Sequence, residues 1–65
     1  MKITLNGEAR QTAATTVGEL LRELNFAPIG LAVAINQSVV RRANLETHAL
    51  NAGDVVEIIR AVQGG

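Results

Sequence analysis

The residues best suited to chemistry stand at the end of the chain, where Ala61-Val62-Gln63 leads into Gly64-Gly65. Glycine has no Cβ, accepts nearly any backbone dihedral and allows the closest approach to another surface. A chain closing on two glycines therefore offers a bare carboxylate on a thin lead that fits a narrow channel in a partner. A carboxylate is a poor electrophile. It must first be activated, for instance as an acyl-adenylate, before a sulfur or nitrogen nucleophile can attack it. This chain has no Gly-rich phosphate loop, and its six glycines are scattered, so activation must come from elsewhere. The expected site of covalent modification is Gly65, at the end of a tail that can thread extended into such a channel. Glycines at a terminus can also simply fray. The functional expectation rests on their conjunction with the small domain and the element order below.

Side chains elsewhere compete poorly for a chemical role. Cysteine is absent, which removes disulfides, thiol catalysis and cysteine-ligated metals. The lone His48 cannot build a zinc site without several carboxylates, and no base partner stands near Ser38 or Thr15. His48 and the Arg41-Arg42 pair read as loop residues, and Arg22 and Glu23 as solubilising residues on the outer helix face. No catalytic side chain and no metal ligand set is expected.

Six basic residues balance six acidic ones and only one aromatic is present, which argues against a nucleic-acid partner. Met1-Lys2 leads directly into alternating Ile3-Thr4-Leu5, unlike a signal peptide. The longest apolar stretch, 27–35, is interrupted by Pro28 and Gly30 and falls far short of the roughly 20 residues a membrane span needs. A soluble, cytoplasmic protein without a membrane partner is expected.

At 65 residues the chain makes one small domain. Ten of its apolar residues are alanines, so seven Val, seven Leu, five Ile, Phe26 and Met1 must supply the core. That suffices for one sheet on one helix, whereas a ligand-enclosing pocket of about 300 Å³ or more would hollow it out. The length weighs against a self-contained enzyme.

The pattern predicts how these elements follow one another. Ile3 and Leu5 mark a strand, Asn6-Gly7 a tight hairpin turn, and Glu8 to Thr12 a polar edge strand. Thr16-Val17-Gly18-Glu19 fits a capping box, in which Glu19 reaches back to the Thr16 amide. Val17, Leu20, Leu21 and Leu24 follow on one helical face, with Asn25 and Pro28 as stop signals. Leu31 to Ile35 reads as a strand covered on part of both faces, and Asn36-Gln37-Ser38 as a turn into a short strand at Val39-Val40. The segment 41–50 has no clean period and reads as a loop with short irregular structure. After a turn at 51–54, Val55 to Ala61 forms the last strand, with Val56 and Ile58 on one face and Glu57 and Ile59 on the other. Ile59 and Ala61 then form a candidate docking patch on the face away from the helix.

The order strand, strand, helix, strand, strand, loop, strand predicts an α+β protein of β-grasp type, a mixed sheet of four to five strands packed on one helix. The last strand should lie beside the first, near the sheet centre. The expected organisation is a domain over 1–61 and a flexible tail over 62–65.

The chain resembles the sulfur-carrier proteins of thiamine biosynthesis, the ubiquitin-like ThiS family, over essentially its whole length. The resemblance rests on Ile3-Thr4-Leu5-Asn6-Gly7, Thr16-Val17 with Glu19-Leu20-Leu21, Ala34-Ile35-Asn36-Gln37 with Val39-Val40, Gly53-Asp54, and Ala61-Val62-Gln63-Gly64-Gly65. It implies that an E1-like partner adenylates the Gly65 carboxylate with ATP, the chain binding no cofactor of its own. It further implies that a cysteine desulfurase pathway supplies sulfur to give a thiocarboxylate, and that thiazole synthase takes up that sulfur. In that scheme Gly64 and Gly65 thread the partner active sites, and Val62 and Gln63 form the arm that reaches them. Three alternatives stand beside it. The small subunit of molybdopterin synthase shares the chemistry, although that family is often somewhat longer, with proline near its tail. A ubiquitin-like tag would join Gly65 to lysines of targets, and a plain interaction module would do no covalent chemistry.

Overall fold

The structure is a computed structural model that describes residues 1–27 and 29–60. Two hairpins flank one helix. The first joins β1 (Lys2–Leu5) to β2 (Glu8–Gln11), and the helix α1 covers Val17–Glu23. The second hairpin joins β3 (Leu31–Ile35) to β4 (Ser38–Val40), and after a 3-10 turn at Arg42–Asn44 comes β5 (Val55–Arg60). The sheet order is β2-β1-β5-β3-β4. β5 thus enters the centre, parallel to β1 through Thr4↔Val55 and Leu5↔Val56 and antiparallel to β3 from Leu31↔Arg60 to Ile35↔Val56. This is the mixed five-stranded β-grasp arrangement expected from the sequence.

Turn chemistry explains both hairpins. Asn6 and Gly7 take φ of 49° and 85°, the positive pair a two-residue turn with the native strand twist requires. Asn36 and Gln37 repeat it at 50° and 73°, so the second turn closes on these two residues and Ser38 already belongs to β4. The turns then lock onto β5. Asn36 Oδ1 accepts from the Val55 amide at 2.9 Å while its Nδ2 donates to Asp54 Oδ1 at 3.1 Å. Asp54 is buried, and its other oxygen accepts from the Asn51 amide at 2.9 Å.

The core lies between the helix and one face of the sheet. Val17, Leu20 and Leu21 from α1 meet Ile3, Val33 and Val56, all six being nearly or wholly buried. Leu45 and Leu50, from the segment read as irregular, are also buried and close one side of this layer. Gly18 makes that closure close. Its amide donates to the Leu45 carbonyl at 2.8 Å, and a Cβ there would sit 2.7 Å from the Glu46 carboxyl carbon.

The helix start differs from the expected box in one detail. Thr16 Oγ1 accepts from the Glu19 amide at 3.2 Å, as a cap should. Glu19 Oε1, however, reaches past Thr16 and accepts from the Thr15 amide at 2.7 Å and the Thr15 hydroxyl at 2.9 Å. Thr16 itself is held in an isolated bridge with Ala49. The Thr15 bonds hold the Glu19 carboxyl below its ordinary range. Arg22 and Glu23 are more than solubilising residues. Glu23 accepts from the buried Thr12 hydroxyl at 2.6 Å, which lowers its carboxyl's pKa, and Arg22 pairs with Glu46 at 2.9 Å. β3 is covered fully on the helix side, at Val33 and Ile35, and only in part on the other, where Ala34 is half-buried and Ala32 exposed.

Candidate functional site

Strand alternation gives the sheet a second face, away from the helix. The ladder places Ala32 opposite Ile59, Ala34 opposite Glu57, and Ala34 again opposite Val39. Ile59 is 68% exposed and Val39 75%. The two alanines between them lack the bulk to fill the surface. Beside them an open cleft of about 370 Å³ is lined by Gly30, Leu31, Ala32, Arg42 and Ile59. It lies on the surface, so the thin core need not be hollowed to make it. Ile59 thus stands where the strand pattern placed it, on the outer face.

This face adjoins the end of β5, the point from which the chain continues into residues 61–65. Ala61, Val62, Gln63, Gly64 and Gly65 lie outside the described residues. What the structure supplies for them is the platform at their base. Arg60 closes the ladder opposite Leu31 and turns toward the helix side, where its guanidinium carbon lies 5.0 Å from the Phe26 ring centroid. Arg42, read from the sequence as a loop residue, and Phe26, read only as core, both stand near this exit, as does Arg60, for which the sequence offers no role. Phe26 had one available signal, since it is the only aromatic and follows the helix-stopping Asn25.

The side chains set aside earlier are not gathered into a site. His48 is half-buried, and its carbonyl accepts from the Val17 amide at 2.9 Å, a helix-anchoring role. Among the described residues no three His, Cys, Asp or Glu side chains come together as metal ligands. No described helix is long and apolar enough to cross a membrane.

A one-helix β-grasp domain with an open apolar outer face beside the strand that leads to Gly64-Gly65 defines a ubiquitin-like protein. The comparisons narrow the class. The ThiS family model matches residues 3–65, and the chain belongs to the ThiS family. The sulfur carrier protein ThiS of Escherichia coli is 39% identical across the full length of both chains. That of Thermus thermophilus is 35% identical over 97% of this chain and 98% of its own. A thiazole synthase of Magnetococcus marinus is 41% identical over this whole chain, which spans 20% of that protein. The crystal structure of the thiamine biosynthesis protein ThiS from Geobacter metallireducens superposes with a TM-score of 0.83 at 29% identity, each chain covered completely.

Proposed function

We propose that this protein is a sulfur carrier for thiamine biosynthesis, working through the Gly65 carboxylate. The observation that carries the reading is a family match that runs through Gly64-Gly65, joined to full-length similarity to sulfur carrier proteins. A partner adenylates Gly65 with ATP, releasing pyrophosphate; a persulfide then displaces AMP to form an acyl disulfide, and a second thiol cleaves its S–S bond, leaving the thiocarboxylate on Gly65 and a disulfide on the sulfur donor. Cysteine desulfurase is the source of that sulfur and thiazole synthase its acceptor. The similarity to two thiazole synthases, 41% and 38% identical over the whole chain, supports this acceptor over molybdopterin synthase. The chain is cargo and carrier. ATP belongs to the activating partner, and the reactions run in the cytoplasm.

Ile59 and Ala61 form the docking surface in this scheme. Burying an exposed isoleucine contributes about 1.5–3 kcal/mol, enough to hold a transient complex in register while the tail is threaded. The test is intact-mass measurement on protein isolated from its native cell. A carrier shows a population in which one oxygen is replaced by sulfur, and an alkylating agent labels its terminus. Larger adducts that survive denaturation would instead identify a tag. Failure of the cognate adenylating enzyme and ATP to form an adenylate at Gly65 would overturn the reading.

A further inference from the structure

The last residues of β5 are held differently from the rest of that strand. On one edge β1 pairs only with Val55 and Val56. The Asn6 side chain then takes the place of a strand, its Oδ1 accepting from the Ile58 amide at 2.9 Å. Past Ile58 this edge has no strand partner among the described residues. On the other edge the ladder stops at Leu31↔Arg60, because Leu31 is the first residue of β3. Among the described residues, main-chain pairing therefore ends at Ile58 on one edge and at Arg60 on the other.

A side-chain contact begins at Arg60. Asn25, at φ 62°, ends the helix in a Schellman turn: its amide donates to Arg22 O at 3.0 Å and the Phe26 amide to Leu21 O at 2.8 Å. This cap projects Phe26 against the core, where it is half-buried. Arg60 lies over its ring at 5.0 Å. Among the described residues no carboxylate lies within 4.0 Å of Arg60, so the ring is its side-chain partner there.

We infer that Arg60 and Phe26 form a positioning pair that fixes the root of the carrier tail. This rests on the sulfur-carrier reading. Five residues, 61–65, reach at most about 17 Å fully extended, so small errors at the root take up much of the available span. Five residues lead from Arg60 to Gly65, and seven would lead there from Ile58 if β5 frayed back to it. By the three-halves power of length, the concentration of the tip at a fixed target then falls by about 1.7-fold. Lost direction adds to this, and an exposed cation–π contact biases an equilibrium by about two- to fivefold. The pair thus acts through the geometry of the tail, without touching the reacting carboxylate.

The test uses the full chain with its cognate adenylating enzyme and ATP, read as pyrophosphate release, in a double-mutant cycle. Arg60→Met keeps the stem without the cation, and Phe26→Leu keeps apolar bulk without the ring. Each single variant is expected to lower kcat/KM about two- to fourfold, with the double variant no worse than either single. Arg60→Lys and Phe26→Tyr should restore most of the loss. Amide exchange should quicken at Arg60 in both single variants and stay unchanged at Val33 and Val56, which separates a loosened root from a loosened core. Single effects that multiply in the double variant would overturn the pairing. So would Phe26→Leu with wild-type kinetics and exchange, since Arg60 would then be acting on the partner directly. If the wild-type chain is not adenylated, the sulfur-carrier reading fails, and amide exchange still decides the tether.

Discussion

The two faces of the sheet are built from alternate residues of the same strands, yet they follow different rules. On the helix side, Val33, Ile35, Val56 and Ile58 are buried and matched to α1. On the outer side, Ala32 and Ala34 sit between Ile59 and Val39, two large apolar side chains left in water. The first face is explained by the chain's own stability. The second contributes little to folding and fits a surface that another molecule covers. The difference teaches that in so small a domain one face is free for docking because a single helix covers only the other.

The most severe test of this contrast is Leu20→Ala. Truncating a fully buried leucine costs about 3 kcal/mol, a large part of the few kcal/mol available to a domain of this size. Urea unfolding should show a sharply lowered midpoint, whereas Ile59→Ala should shift stability by less than about 0.5 kcal/mol. Parity between the two would break the comparison.

Next comes Ile59→Thr, which keeps β-branching and so the strand, but makes the outer face polar. Adenylation by the partner should lose about five- to tenfold in kcat/KM through a raised KM, with an unchanged thermal midpoint. An unaffected KM would remove Ile59 from the docking surface.

Away from both faces, Thr12→Val should cost about 1–2 kcal/mol, because it strips Glu23 of its shortest hydrogen bond and leaves the Ala14 amide without the Thr12 oxygen it bonds at 3.0 Å. It should also alter the acid limb. Glu19 and Glu23 have carboxyl pKa values lowered on folding from 4.5, so their stabilisation is present above that value and is lost as pH falls through the lower folded values. Melting followed from about pH 6 down to about pH 3 should be flatter in Thr12→Val than in wild type.

The smallest effect is expected for Gly18→Ala. Alanine gains about 1 kcal/mol of helix propensity but drives the Glu46 carboxylate away from Arg22, an exposed pair worth about 0–1 kcal/mol. Net stability should move by less than about 0.5 kcal/mol, and adding Glu46→Ala should reveal the propensity gain.

Much of this architecture was legible locally. Asn6-Gly7, Asn25 and Gly53 all take the positive φ that marks a turn or a helix end. The alternation of β5 placed Ile59 on the outer face. What escaped notice depends on distant partners. Leu45 and Leu50 reach the core from a segment with no period, because their burial is set by the Gly18 contact and the Thr16↔Ala49 bridge. Glu23 looked like any exposed helical carboxylate until the fold brought Thr12 to it. Gln37 at φ 73° has no sequence signal, since glutamine seldom takes that conformation. The platform around Arg60 was hidden for the same reason: Phe26 and Arg60 stand far apart in the chain.

The central place of β5 has a consequence for biogenesis. During synthesis, the two hairpins and the helix can form early, but they remain separate halves with no shared ladder. Joining Thr4 and Leu5 to Val55 and Val56 must wait until residues 55–60 have left the ribosome. Such distant pairings form slowly, and unjoined strand edges invite aggregation in the interval. The sheet centre, and with it the outer face around Ile59, therefore forms only after both hairpins are in place, so a partner that docks on that face would discriminate against half-folded chains without a separate proofreading step.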